Sequence, residues 1–272
     1  SSGIPDLDGM LGGGVDRGSP TLLLGPAGSG KTLFALAFLR AGLERGEPTT
    51  YFGFHESPAR LLAKAARVGS DLKRHHDSGL LHIKWQPNVD FLADALVDEL
   101  LADVRQRRVK RLVVDSLVGL KFAILVEERL SRFLSALANE LRVMGVTTYF
   151  IDDSRALFAP GFEVPVTGLS CIVDNILFLR HVELHSELHR IACVLKTRES
   201  DHDQRLRTFT MSANGVHFGD PLQNASALLT GTATAARPST PAGGSGGTRA
   251  SKGASKGGKN AGRRASKGGK RR

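Results

Sequence analysis

Residues 20–43, PTLLLGPAGSGKTLFALAFLRAGL, hold an apolar run, a glycine-rich turn and a second apolar run in that order. The first run, PTLLLG at 20–25, reads as a short buried strand. The turn, Gly25-Pro26-Ala27-Gly28-Ser29-Gly30-Lys31-Thr32, is a complete GxxxxGKT. The stretch from Lys31 to about Arg45 reads as a helix that is apolar nearly all round, so it belongs in an interior. Strand, GxxxxGKT, helix is the context that gives the motif its meaning. Glycines let backbone N–H groups turn inward around phosphate oxygens, and the helix start adds its dipole. Lys31 reaches the outer phosphates of a nucleoside triphosphate, and Thr32 offers a hydroxyl to Mg²⁺.

Working outward, strands and helices alternate. TTYFGF (49–54) reads as a strand, Pro58 to Val68 as a helix, and LLHIKW (80–85) as a strand. Residues 90–106 and 127–143 carry helical spacing, and RLVVDS (111–116) and VTTYFID (146–152) read as strands. Such alternation predicts an α/β fold, a mostly parallel twisted sheet covered by helices on both faces. From about residue 171 the pattern changes. CIVDNILFLRHVEL, a polar break at 185–188, and HRIACVLKTR read as a hairpin. RTFTMS and GVHF flank Asn214-Gly215, a hairpin turn signal. A C-terminal antiparallel extension is expected.

Charge divides the 272 residues unevenly. There are 37 Lys+Arg and 27 Asp+Glu, a formal net charge of +10. No acidic residue follows Asp220, while five Lys and six Arg lie between Arg237 and Arg272, leaving 26 cationic against 27 acidic residues before them. A near-neutral body at 1–221 and a basic Gly/Ser/Lys-rich tail at 222–272 are expected. The overall pI does not, then, mark a nucleic-acid-binding fold. The tail is too poor in apolar residues to offset its ordering entropy, so it is expected to be disordered. It either solubilises the chain or makes weak, salt-dependent contact with nucleic acid or another polyanion. No apolar run reaches the length of a membrane span, and nothing resembles a signal peptide. Two cysteines, Cys171 and Cys193, make no disulfide framework. A cytoplasmic protein is the expectation.

Two carboxylates stand where a triphosphate needs them. Asp115 ends RLVVD at the C-terminal edge of the predicted sheet, suiting the Mg²⁺-linked acid of a P-loop NTPase or capping the next element. Glu56 follows TTYFGF, where it either orients the attacking water or caps the helix at Pro58. Its neighbour His55 points to the opposite face if strand geometry persists. Other signals read more plainly. His181, His185 and His189 do not converge on a hairpin, His75 and His76 make a solvated pair, Trp85 packs in the core or at an edge, and Arg105, Arg107, Arg108, Lys110 and Arg111 form a solvated corner or else a subunit or polyanion contact.

GIPDLDGMLGGGVDRGSPTLLLGPAGSGKTLFALAFL (3–39), YFGFHESPARLL (51–62), RLVVDSL (111–117), IVDNILFLRHVE (172–183) and RIACVLKTRESDH (190–202) together resemble the KaiC-type, RecA-like ATPases, the family of a circadian-clock ATPase. The resemblance covers roughly residues 3–219. It implies a RecA-like P-loop domain, ATP and Mg²⁺ as cofactors, and a homo-oligomer, a hexameric ring with ATP between subunits. Gly25, Ala27, Gly28, Ser29, Gly30, Lys31, Thr32 and the adjoining Leu33 then hold nucleotide, with Thr32 and Asp115 on the metal. Lys196 and Arg198, flanking Thr197, match a basic pair that reaches a neighbour's γ-phosphate; Ser200, His202 and Ser212 match positions lining that neighbour's nucleotide. Two positions depart from the family. His55-Glu56 replaces two adjacent carboxylates, leaving Glu56 or His55 as base, or slow hydrolysis. Ser170-Cys171 replaces a Ser-Thr phosphorylation pair, so only single-site phosphorylation of Ser170, by an autokinase activity, stays open. The expected function is slow ATP hydrolysis controlling assembly or a signalling partner. The alternatives are a nucleotide-gated binder with little turnover and a recombination-accessory ATPase acting on DNA.

Overall fold

A computed structural model of the chain describes residues 1–87, 92–124, 127–153, 169–184, 186–198, 200–222, 225–226 and 234–235. Nine strands form one sheet: β1 (Pro20–Gly25), β2 (Thr49–Gly53), β3 (Leu81–Trp85), β4 (Arg111–Asp115), β5 (Thr147–Asp153), β6 (Asn175–Leu184), β7 (Glu187–Lys196), β8 (Arg207–Ser212) and β9 (Gly215–Pro221), in the order β3-β2-β4-β5-β1-β6-β7-β8-β9. Pairing is parallel from β3 through β6 and antiparallel from β6 to β9. The expected parallel core with an antiparallel extension is what the chain forms.

Helices α2 (Lys31–Leu43), α3 (Pro58–Arg67), α5 (Ala93–Arg107) and α7 (Glu127–Val143) match the helical spacing seen in the sequence. Four short helices went unread: α1 (Pro5–Met10), α4 (Leu72–Asp77), α6 (Leu117–Ala123) and α8 (Leu169–Ile172). Each is seven residues or fewer, too short for a hydrophobic period to declare itself. β1 is buried along its whole length because both faces are covered. Leu22 and Leu24 join the core on one face with Phe52, Val114 and Phe150, and Leu23 joins the other with Phe34, Tyr51 and Tyr149.

Arg111 departs from the solvated corner predicted for it. Arg105, Arg107, Arg108 and Lys110 are exposed, but Arg111 is buried under α2. Its Nε pairs with Glu47 at 2.6 Å, one terminal nitrogen donates to the Phe38 and Ser1 carbonyls at 2.9 Å, and the guanidinium lies 4.6 Å from the Phe38 ring centroid. A Cβ at Gly42 would stand 2.4 Å from Arg111 Cδ, so glycine is what admits the arginine there. His75 and His76 are half-buried rather than solvated, His76 Nδ1 lying 3.2 Å from the Leu81 carbonyl. Of core and edge, Trp85 takes the edge, partly exposed and donating to the Phe54 carbonyl.

Two short strands, β10 (Ala225–Ser226) and β11 (Thr234–Ala235), pair antiparallel. The basic tail from Arg237 lies outside the described residues, as does His185. No helix among the described residues is long and apolar enough to cross a membrane.

Removing a cation from a buried pair leaves its partner uncompensated. Arg111→Ala is therefore expected to cost about 3 kcal/mol, measured by urea denaturation, without altering the far-ultraviolet circular dichroism of the folded state.

Candidate nucleotide site

β1 leaves the sheet at Gly25, turns through Pro26–Gly30, and re-enters as α2 at Lys31. Two positions demand glycine. Gly28 and Gly30 have φ of 78° and 105°, in the left-handed region that side chains rarely adopt. The loop is also packed from behind. A Cβ at Gly25 would lie 2.6 Å from the Leu179 carbonyl of β6, and one at Gly30 would lie 3.0 Å from Met211 Sδ of β8. The first amides of α2 have no intrahelical acceptor, and they open beside the loop. Ser29 Oγ is buried with no hydrogen-bond partner. Left-handed glycines, a helix start and an orphaned buried hydroxyl together suit anionic oxygens.

Lys31 is buried, and its ammonium is fully engaged within the chain. Nζ donates to the carbonyls of Gly25 at 2.8 Å and Pro26 at 2.9 Å, and pairs with Asp153 Oδ1 at 2.7 Å. His181 on β6 stands behind the loop, its Cε1 4.0 Å from where a Gly28 Cβ would be, with Nδ1 buried and unpartnered. Burial, then Arg190 and Lys31, hold its pKa below the ordinary imidazole range and favour the neutral ring.

Asp115 ends β4, with Gly53 of β2 on one side and Ile151 of β5 on the other. The Tyr51 hydroxyl donates to its Oδ2 at 2.6 Å. Burial pushes the carboxyl above its ordinary value, while the Tyr51 bond and the nearby Lys31 and His55 charges pull it back. On β5, Asp152 is fully buried and pairs with Lys121 of α6 at 2.6 Å. The strand geometry of β2 does not persist to His55-Glu56, since β2 ends at Gly53. His55 is exposed. Glu56 is partly buried: Oε1 accepts from Lys64 of α3, and Oε2 is buried with no partner.

Lys196, Thr197, Arg198, Ser200 and His202 gather elsewhere. Lys196 Nζ donates to the Val173 carbonyl at 2.7 Å; Arg198 donates to the Cys171 carbonyl at 2.8 Å and pairs with Asp174 at 3.2 Å. Thr197 Oγ1 lies 3.0 Å from His202 Nδ1 and donates to the Ser200 carbonyl, and Ser200 Oγ donates to the Leu11 carbonyl. The register fixes where this group lies. Lys196 pairs with Ile176, and Ile176 with Leu22 of β1, three residues before Gly25. At about 3.3 Å per residue, that is roughly 10 Å down the strand from where the loop begins, and β7 carries Thr197 and Arg198 further from it.

Ser212 lies apart from Ser200 and His202. β8 runs antiparallel to β7, so it returns the chain to the loop's end of the sheet, where Phe209 and Met211 approach the chain's own Gly30. Beside that hairpin, Leu33 helps line a cavity of about 410 Å³ with Leu36, Ala37, Val68, Asn214 and Val216. Sequence reasoning missed Tyr51, Lys64, Asp152 and Asp153. Asp152-Asp153 ends an apolar strand as Asp115 does, and that signal was available. Nothing in the sequence marks Tyr51 or Lys64.

Tyr51→Phe leaves the partly buried Asp115 Oδ2 without its donor, at an expected cost of about 1 kcal/mol near neutral pH. The sign is set by burial. The folded pKa of Asp115 already lies above its ordinary 3.8, and loss of the donor lifts it further. The deficit relative to wild type should then grow as pH rises from about 4 to 7, read by urea denaturation at each pH.

Comparison with known proteins agrees with this geometry. A family model described as "ATPase: KaiC" matches residues 1–223. The circadian clock protein KaiC3 of Synechocystis sp. is 32% identical over 234 residues, covering 85% of this chain and 46% of its own. The circadian clock oscillator proteins KaiC of Picosynechococcus sp. and Thermosynechococcus vestitus are 30% and 32% identical, each covering 86% of this chain and 45% of its own. The chain thus spans about half the length of these curated relatives. With a glycine-walled phosphate loop, its lysine and the strand-end Asp115 inside the matched region, the chain belongs to the KaiC family of RecA-like, ATP-binding ATPases.

Proposed function

We propose that the protein binds MgATP at the boundaries between copies of itself in a ring of six and hydrolyses it slowly, the nucleotide state controlling assembly or a signalling partner. The observation that carries this is the separation of charge: Lys196 and Arg198 lie down the sheet from the chain's own phosphate loop. A γ-phosphate on one copy meets these cations only on another. Arg198 is half-exposed, and its partners are a carbonyl and Asp174, so its guanidinium is within reach of an incoming subunit.

The residues present fit the nucleotide and its metal. The orphaned Ser29 hydroxyl, the glycine cradle and the amides of α2 take the phosphates. The cavity beside Leu33, apolar on most sides, has the size of a ligand pocket and takes the nucleoside. Thr32 and Asp115 would hold Mg²⁺, which when bound supplies charge neutralisation across the outer phosphates. Tyr51 keeps the Asp115 carboxylate in one orientation. Glu56, rather than the exposed His55, has a free buried oxygen to orient a water and take its proton. Lys64 holds the other oxygen.

That grip favours a second reading, a nucleotide-gated binder with little turnover, because a carboxylate tied to an ammonium is a weaker base. The two readings separate in a phosphate-release assay run over a range of protein concentrations beside a mass measurement. The first expects specific activity to rise as copies assemble, Arg198→Ala to lose roughly 10³-fold, and Glu56→Gln to lose turnover while still binding ATP. Unchanged specific activity across assembly, or full activity in Arg198→Ala, would count against completion by a neighbour. Tight binding with no release favours the second.

A further inference from the structure

We propose that Asp153 is the resident counter-ion of the phosphate-loop lysine, held in the nucleotide-free protein and displaced by an incoming triphosphate. An ammonium has three protons to donate, and Lys31 spends all three inside the chain, on Gly25 O, Pro26 O and Asp153 Oδ1. Its side chain is 9% exposed, so without a neighbouring anion the charge would be buried uncompensated. To meet phosphate, Lys31 must release at least one of the three. The two carbonyls belong to the start of the loop, whose backbone is tied into β1 between β5 and β6. Asp153 is the movable one. It is the last residue of β5, directly opposite Gly25 in the ladder, and its side chain is 43% exposed.

The neighbouring aspartate cannot substitute. Asp152 is fully buried and bound to Lys121, and adjacent strand residues face opposite sides of the sheet. Among the described residues, Asp153 pairs with no cation other than Lys31. Once phosphate oxygens take the ammonium, the Asp153 carboxylate becomes a like charge a few ångströms from them, having lost the one cation it pairs with among the described residues. Asp153 therefore competes with the triphosphate for one ammonium and sets the affinity of the site. It is a positioning residue, acting through Lys31 and touching no reacting atom.

The inference rests on the reading of Gly25–Thr32 as the nucleotide site, and one titration tests both. A fluorescent ribose-substituted ATP analogue is titrated into wild type, Lys31→Ala, Asp153→Asn and Asp153→Glu, beside thermal unfolding of each protein with and without ATP. Asp153→Asn should bind about tenfold tighter than wild type. Without nucleotide it should melt lower, because Lys31 has lost its counter-charge, and ATP should close that gap. Asp153→Glu, which keeps the charge and the fold, should hold close to wild-type affinity. Equal or weaker binding by Asp153→Asn, with Lys31→Ala losing the analogue, would overturn the counter-ion role alone. Tighter binding by Asp153→Glu would overturn it too. No binding by wild type would remove the nucleotide site and the inference together.

Discussion

One buried ammonium governs the arrangement of this protein's chemistry. Lys31 opens α2 from inside a loop that has almost no side chains of its own, and its charge needs anionic company in every state. Within the chain that company is two carbonyls and a carboxylate from the neighbouring strand. In a bound triphosphate, as proposed, it would be phosphate. The parallel sheet makes both possible, because β1, β4 and β5 all end at one edge and bring Gly25, Asp115 and Asp153 to it. The glycines, the buried apolar strands and the helices on either face are what hold that edge open.

The carboxylates at the edge are not equivalent, and their surroundings sort them. Asp152 is sealed and committed to Lys121. Asp115 is partly buried and oriented by a phenol, which favours a fixed acceptor. Glu56 sits off the sheet, with one oxygen held by Lys64 and one unused. Asp153 is the more exposed of the β5 pair and the one whose partner has another use. Burial raises the cost of ionisation at Asp115 and Asp152, and each carries a dedicated donor that offsets it.

Much of this was legible in residues 20–43 alone, because a strand, a glycine turn and a buried helix leave few alternatives. The antiparallel extension was legible from two apolar runs and an Asn-Gly turn. What stayed hidden is what depends on register and depth. Ser212 falls near Ser200 and His202 in the chain, yet a reversal of strand direction sends it to the far end of the sheet. Arg111 belongs to a run of cations, yet the space over Gly42 draws it alone into the interior. Tyr51 reads as one more apolar strand residue until its hydroxyl is seen against Asp115. Lys64 is an ordinary helix lysine until the chain bends after Gly53 and brings Glu56 to it. Spacing along a chain reveals periodicity, and these contacts have none.

The distance along the sheet between the phosphate loop and the Lys196–Arg198 pair gives the molecule a polarity. A contact that joins two such unlike ends can be reciprocal, loop to pair and pair to loop across a twofold axis, because in such an interface residue i meets j and j meets i. Where it is head-to-tail instead, one loop and one basic pair stay unmet at the extremities of an open assembly. Closure into a circle, or growth without end, then uses both ends of every copy.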